Sequence, residues 1–183
     1  RGVGLEKALG QVAAAVGALG AALGAMVANL TSHKRSFERD WERYSQWAER
    51  GKACHDELLA LVDRDTDAFN GIMAAVQLPK ASAEEQAARA AAIEAATLEA
   101  IAVPFRTMEV SVEALVVARA MAELGNPASA SDAGVGALCA RAAVRGAFLN
   151  VRINLPDLAD KARATRFVSD GDALVARAEA LEA

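Results

Sequence analysis

Apolar residues recur along most of the chain at spacings of three and four, and this period predicts helices rather than strands. The predicted helices run from about Leu5 to Leu30, from near Ser36 to Val76, from Ser82 to Leu124, from Ser129 or Ser131 through the stretch RINL, and from about Lys161 to Leu181. We therefore predict an all-α protein, an up-and-down bundle of about five long helices that forms a single domain over residues 1–183.

Local signals refine three of these helices. Ser82, followed by Glu84 and Glu85, is typical of an N-cap with acids in the first turn, and it marks the start of the third helix. Pro104 predicts a kink or a split in that helix, because proline removes a backbone donor. Gly51 predicts an interruption of the second helix.

The first helix has an unusual composition. Its stretch VAAAVGALGAALGAMVANL, Val12–Leu30, carries no charge, and Gly20 and Gly24 form a GxxxG spacing. The residues are mostly alanine and glycine, which favour a central helix of a soluble bundle; a membrane helix or a signal peptide is the alternative. Small side chains on the first and fourth helices also predict packing between subunits, hence a dimer or a multiple of one.

The overall charge narrows the class of partner. The net charge of −4 argues against a nucleic-acid binder, which needs a basic surface. Arg141, Arg145 and Arg152 fall along one side of the fourth helix, and we interpret them as intersubunit or intrahelical ion pairs.

Cysteine and histidine spacing gives no sign of a metal site. Cys54 and Cys139 are far apart and lack a CxxC or Cys/His spacing, so we interpret them as core thiols in a reducing compartment. His33 and His55 fit no ligand spacing either. We predict a cytoplasmic protein that binds no metal.

The stretch LVDRDTDAFN, Leu61–Asn70, places aspartates on both sides of one predicted helix. At about 100° per residue, Asp63 and Asp67 share a face that should meet water. Asp65 lies on the opposite, apolar side. Its neighbours at spacings of three, four and seven are Leu58, Leu61, Val62, Phe69 and Ile72. A carboxylate buried there takes up a proton, pairs with a lysine or backbone amides, or does chemistry, and the pattern leaves these interpretations open.

Several stretches together resemble the cyclodeaminase domain of formiminotransferase-cyclodeaminase and its single-domain relatives that act as methenyltetrahydrofolate cyclohydrolases. The matching pieces, which occur in the family's order, are LGAALGAMVANLT, LVDRDTDAFN, LPKASAEEQAARAAAIEAA, the proline of AVPF, GNPASASDAGVGAL and RGAFLNVRINLPDL. The resemblance covers most of the chain. It departs from the family at KALGQVAAA, Lys7–Ala15, where members usually carry a proline and a GGGS-like turn and this chain retains only Gly10.

The resemblance implies a dimeric all-α enzyme that binds a tetrahydrofolate derivative as substrate in a cleft between helices. The implied reaction is release of ammonia from formiminotetrahydrofolate to give 5,10-methenyltetrahydrofolate. Hydrolysis of methenyltetrahydrofolate is the alternative, and a non-catalytic folate-binding scaffold is a third interpretation. No cofactor is expected, and a formiminotransferase is a candidate partner.

The resemblance also implies roles for three residues. Asp65, four residues before Phe69, corresponds to the family's proposed acid/base, and it is the residue that the helical phase singles out. Lys80, in LPK, is assigned to the substrate carboxylate or to catalysis, and Asp132, in SASDAGVG, to the site.

Four more polar residues are candidates for binding the substrate. Asn150 and Asn154 are one turn apart in an apolar run, so they are expected to pair with each other, with the backbone or with the pterin. Lys34 and Arg35 follow the first helix and are candidates for the glutamate tail of folate; a solvated loop charge is the alternative.

Overall fold

The computed structural model describes the backbone of residues 3–182 and the side chains of residues 9–182. The five α-helices of this part of the chain are α1 (Val3–Ser32), α2 (Trp41–Val76), α3 (Ala83–Leu124), α4 (Ala130–Asn154) and α5 (Lys161–Glu182). Short 3-10 helices occupy Arg35–Asp40, Pro127–Ser129 and Leu155–Asp157, and residues 3–182 contain no strand. The predicted all-α class is confirmed.

The first helix lies in the middle of the bundle. It packs against α2, α3 and α4, whereas α5 lies outside against α3 and α4. Glycines allow its closest approach to α4: a Cβ atom on Gly20 would lie 2.7 Å from the carbonyl oxygen of Gly136, and one on Gly136 would lie 3.0 Å from that of Gly20. The GxxxG spacing thus serves helix packing inside the bundle.

α1 is also long and apolar enough to cross a membrane over Leu9–Ser32. More than half of this segment's apolar window is buried in the bundle, and Ala14, Ala21 and Val27 are fully buried there. The packing matches the predicted central bundle helix.

The two longest helices, α2 and α3, run without interruption. Pro104 is buried inside a continuous α3, so the helix is not split. Gly51 is buried inside a continuous α2, and the predicted interruption is wrong. A Cβ atom on residue 51 would lie 2.9 Å from Cβ of Ala25, so this glycine permits close packing of α2 on α1 rather than a helix end.

The predicted start of α3 is confirmed. The Oγ of Ser82 accepts a hydrogen bond from the backbone N–H of Glu85 at 3.1 Å, and the Glu85 carboxylate accepts one from the backbone N–H of Ser82 at 3.1 Å. This reciprocal pair satisfies two amide groups that the first turn leaves without helical partners.

The interpretation of the α4 arginines needs correction. Arg141 pairs with Glu182 at 2.7 Å and Arg145 pairs with Glu179 at 2.7 Å, so both bind α5 of the same chain rather than a residue of their own helix. The guanidinium of Arg152 lies 5.6 Å from the centre of the Phe148 ring. These partners became available because α5 packs along this side of α4.

Candidate active site

Asp65 lies on the inner side of α2, where the helix meets the start of α1 and the end of α4. Its side chain is half-buried, whereas Asp63 and Asp67 on the other face are exposed. The inward neighbours Leu58 and Leu61 are fully buried. The helical phase deduced from the sequence is therefore confirmed.

Neutral hydrogen-bond donors hold the Asp65 carboxylate. The Nδ2 of Asn150 donates to Oδ1 of Asp65 at 3.3 Å, and the backbone N–H of Gln11 donates to the same carboxylate. Burial raises the pKa of Asp65 above its ordinary value, and the two donors oppose this rise because they stabilise the ionised form. Asp65 therefore keeps its proton to a higher pH than a solvated aspartate does, which suits a group that must both accept and donate one.

The start of α1 is fitted closely to this carboxylate. A Cβ atom on Gly10 would overlap Oδ1 of Asp65 and Nδ2 of Asn150. The next side chain, Gln11, donates from Nε2 to Oγ1 of Thr66 at 2.7 Å. Glycine at one position and a side-chain hydrogen bond at the next therefore tie α1 to the segment of α2 that carries Asp65.

The second asparagine of α4 lies behind the first. Nδ2 of Asn154 is 3.0 Å from the carbonyl oxygen of Asn150, 3.3 Å from Oδ1 of Asn150 and 3.3 Å from the carbonyl oxygen of Ala100 on α3. The expectation that the two asparagines pair with each other and with the backbone is confirmed.

The two cationic residues that follow α1 lie at the end of this helix that is far from Asp65. Lys34 and Arg35 line a cleft of about 620 Å³, and Nζ of Lys34 donates to Oδ1 of Asn126 at 2.8 Å. At 1.5 Å per residue, about 33 Å of helix separates Gly10 from Ser32. Within one chain, these two cations are not beside Asp65.

The remaining two candidates are also apart from Asp65. Asp132 lies in the first turn of α4, about 27 Å of helix before Asn150. Lys80 follows the end of α2, which lies about 16 Å of helix beyond Asp65, and lines a cleft of about 360 Å³ together with Arg89. The structure thus gathers three of the seven predicted residues, Asp65, Asn150 and Asn154, into one site.

Sequence reasoning missed three parts of this site. The Gln11–Thr66 hydrogen bond and the carbonyl of Ala100 depend on helix packing and leave no trace in local spacing. Gly10 was noticed as the retained glycine of the turn, but its contact with Asp65 was not predicted.

Within the described part of the chain, no group of three or more His, Cys, Asp or Glu side chains is placed to hold a metal ion.

Comparison with known proteins places this arrangement in a family. The profile of Formiminotransferase-cyclodeaminase matches residues 8–171. Methenyltetrahydrofolate cyclohydrolase of Methylorubrum extorquens is 40% identical over 172 residues, which are 94% of this chain and 83% of that protein. Formimidoyltransferase-cyclodeaminase of Mus musculus is 37% identical over 151 residues, which are 82% of this chain and 28% of that protein.

A solved structure agrees with the sequence comparisons. The formiminotetrahydrofolate cyclodeaminase of Thermotoga maritima superposes with a TM-score of 0.83 at 27% sequence identity, over 95% of this chain and 83% of that one. The helical bundle, the family profile and the similar sequences are mutually consistent. The chain belongs to the formiminotransferase-cyclodeaminase family.

Proposed function

We propose that the chain is a one-carbon enzyme acting on tetrahydrofolate derivatives, and that its reaction is the cyclodeaminase reaction with Asp65 as the acid/base. One observation carries this proposal: Asp65 is a half-buried carboxylate that faces the interior of the bundle and is held by two neutral N–H donors. Acid/base residues need this combination of a fixed position and a raised pKa.

The reaction requires a group that first accepts a proton and then donates one. N10 of protonated 5-formiminotetrahydrofolate attacks the formimino carbon and forms the new C–N bond, while its N–H proton moves to the Asp65 carboxylate. The Asp65 carboxylic acid then protonates the departing nitrogen, and the C–N bond to that nitrogen breaks. Ammonia and the 5,10-methenyl cation are the products, and Asp65 returns to its ionised form.

The surroundings of Asp65 suit both halves of this cycle. The N–H groups of Gln11 and Asn150 favour the ionised state that starts the cycle. Burial lowers the cost of the protonated state that follows, because desolvation disfavours the charge. Both steps are proton transfers, so we propose that the reaction needs no metal and no organic cofactor.

Hydrolysis of the methenyl group is the second candidate, favoured by the similar Methenyltetrahydrofolate cyclohydrolase of Methylorubrum extorquens, 83% of which aligns with this chain. In that reaction water attacks the methenyl carbon and loses a proton to Asp65. Asp65 then gives this proton to N5 as the bond from carbon to N5 breaks, the hydroxyl group on that carbon loses its own proton to solvent and becomes the formyl carbonyl, and 10-formyltetrahydrofolate is released. The same carboxylate serves both reactions, and the leaving group distinguishes them.

The substrate would extend from the pterin beside Asp65 towards cations. We propose that Asn150 orients the pterin and that Asn154, which contacts Asn150 on the side away from Asp65, holds the Asn150 side chain in place. Lys80, which shares its cleft with Arg89, is proposed to bind a carboxylate of the glutamate tail.

The residues at the other end of α1 would serve a second copy. Lys34, Arg35 and Asp132 are proposed to act in the site of a neighbouring subunit, since α1 keeps them away from Asp65 of their own chain. An antiparallel arrangement of two α1 helices would bring the loop after one helix to the start of the other.

An exposed apolar stripe on α1 supports a homodimer. Val12, Leu19 and Met26 recur at seven-residue intervals and are all exposed, with 62% of Leu19 accessible to solvent. Leu30 extends this stripe by one turn. Residues 8–32 contain no charged side chain, so two stripes can meet without burying an unpaired charge.

We propose a cytoplasmic location, in keeping with the free thiols of Cys54 and Cys139. A formiminotransferase is the proposed partner that would supply the formimino substrate. This partner is suggested by Formimidoyltransferase-cyclodeaminase of Mus musculus, of which the chain spans 28%.

Two assays on the purified protein test the function. In the first, 5-formiminotetrahydrofolate is added and the absorbance of the methenyl product is followed; in the second, the methenyl compound is added and its loss is followed. The same mixtures without the protein serve as the control for spontaneous reaction. Turnover in the first assay supports the cyclodeaminase, and turnover in the second alone supports the cyclohydrolase. Tight folate binding without turnover in either assay would refute the enzyme and favour the scaffold.

A further inference from the structure

Asn154 is the last residue of α4, and its side chain faces protein acceptors. Its Nδ2 approaches the carbonyl oxygen of Ala100 and both the carbonyl oxygen and the Oδ1 of Asn150 at 3.0 to 3.3 Å. Two of these three acceptors are backbone carbonyls, which accept hydrogen bonds and never donate them. The NH₂ group of Asn154, and not its oxygen, must therefore face this corner.

The orientation of Asn154 in turn fixes the amide of Asn150. An NH₂ group needs an acceptor opposite it, so the atom of Asn150 that faces Asn154 is Oδ1. The other end of the amide, Nδ2, then faces Asp65 and donates to its Oδ1 at 3.3 Å. If the Asn150 amide were reversed, its NH₂ group would face the NH₂ group of Asn154, and its oxygen would face an oxygen of the Asp65 carboxylate.

We infer that Asn154 is a positioning residue, which acts through Asn150 and keeps an N–H donor against the carboxylate of Asp65. The inference rests on the proposed function, because this orientation matters for turnover only if Asp65 transfers protons. Asn154 itself contacts Asn150 and Ala100. It thereby links the backbone of α3, through the end of α4, to the proposed base on α2.

No charged side chain of the described residues takes part in this arrangement. From α1 the backbone N–H of Gln11 faces the carboxylate, and from α4 the amide of Asn150 does; both are neutral. Nearby charged side chains on α2 and α3 are exposed: Asp63, Arg64, Asp67 and Glu99. Arg64 and Glu99 pair with each other at 2.8 Å. The amide of Asn150 is therefore one of two neutral groups that offset the burial of Asp65.

Removing the Asn154 amide frees Asn150 to turn over. With its oxygen turned towards Asp65, Asn150 would accept a hydrogen bond from the protonated carboxyl group instead of donating one to the ionised group, so the pKa of Asp65 should rise further. Less of the protein would then carry the ionised base at a given pH. We expect the acid limb of the pH profile of kcat/KM to move up by roughly one pH unit in Asn154→Leu.

The decisive measurement does not depend on turnover. The pKa of Asp65 is read from its carboxyl ¹³C resonance in substrate-free wild type, in Asn154→Leu and in Thr107→Val. Thr107 is a matched control, because it is buried on α3 and its Oγ1 donates to the backbone oxygen of Val103 at 3.3 Å. The pKa of Asp65 should rise in Asn154→Leu and stay unchanged in Thr107→Val.

A second measurement on the wild type covers the case in which Asn154→Leu does not fold. Residue 10 is so close to Nδ2 of Asn150 that a nuclear Overhauser effect should connect the Gly10 Hα protons to the Asn150 side-chain NH₂. Absence of this signal, or an Asp65 pKa that moves no further in Asn154→Leu than in Thr107→Val, would overturn the inference. If the pKa of Asp65 rises in Asn154→Leu but the wild type turns over neither 5-formiminotetrahydrofolate nor the methenyl compound, the positioning role is upheld and the proposed function is rejected.

Discussion

Gly10 and Asp65 are in contact where α1 meets α2, and a Cβ atom on residue 10 would lie 2.6 Å from Cγ of the carboxyl group. That distance is far below the 3.5 to 4.0 Å at which non-bonded carbon atoms attract, so any side chain here would displace Asp65. The stretch KALGQ keeps one glycine of the family's usual turn, and it is the one that touches the proposed acid/base. In this chain the stretch lies inside α1, and it retains the glycine that this contact requires.

Replacing Gly10 by alanine should therefore lower turnover by about 10²-fold, the scale expected when a reacting group moves by an ångström. Gly134→Ala is the matched control, since a Cβ atom at residue 134 of α4 would have no neighbour within 4 Å. It should leave turnover unchanged and stabilise the helix slightly. Steady-state kinetics of the two variants check this, and equal turnover in both would contradict the proposed contact.

The stability of the protein should depend on the ionisation of Asp65. Burial raises its folded pKa above the ordinary 3.8, so between these two values the folded chain binds a proton that the unfolded chain has lost. The free energy of unfolding that this group contributes is therefore lost as pH rises through that window. Asp65→Asn does not titrate, so its stability relative to wild type should increase from about pH 4 to about pH 8. Urea titrations at both values measure this, and a difference that shrinks with pH would contradict it.

Ser111 offers a test of packing away from the site. In the described part of the chain, its Oγ is the buried side-chain atom that lacks a hydrogen-bond partner. Ser111→Ala should leave the free energy of unfolding unchanged or raise it by about 1 kcal/mol, because an unsatisfied hydroxyl is removed. Thr31→Val should lower it by about 1 to 3 kcal/mol, since Thr31 Oγ1 accepts from the backbone N–H of Asn126 at 3.0 Å. Chemical denaturation measures the free energy of unfolding of both variants. A larger loss in Ser111→Ala than in Thr31→Val would contradict these assignments.

The apolar stripe on α1 makes a prediction about assembly. Leu19→Glu would place charges in the middle of the proposed two-fold contact, so the dimer should dissociate to monomers at micromolar concentration. Ala88→Glu, on the exposed surface of α3, serves as the control and should remain dimeric. Light scattering distinguishes them. A wild type that is already monomeric would count against the proposed sharing of sites between subunits.

Much of this architecture follows from local sequence. The capping pair at Ser82 and Glu85 marked the start of α3, and the helical period placed Asp65 inward, because both depend on residues within a few turns. Gly51 misled for the same reason: its local effect is to weaken a helix, but its use here is close packing against Ala25 of another helix.

The rest of the site depends on contacts that sequence spacing does not encode. Asn150 lies 85 positions after Asp65, and Gln11 lies 55 before Thr66, so their meeting depends on how α1, α2 and α4 cross. The same holds for Arg145, whose partner Glu179 became available only when α5 packed along α4. Resemblance to a family supplied Asp132 as a candidate, and the position after the first helix supplied Lys34, but neither indicated that these residues lie at the far end of α1 from Asp65.

The central claim is that Asp65 is the acid/base, and turnover by Asp65→Asn tests it most directly. The amide keeps the shape of the carboxyl group and removes its titrating proton, so turnover should fall by roughly 10² to 10⁴-fold. Asp63→Asn and Asp67→Asn, on the exposed face two residues to either side, should change turnover little. If Asp65→Asn retains full activity while either neighbouring variant loses it, the proposed role of Asp65 is contradicted.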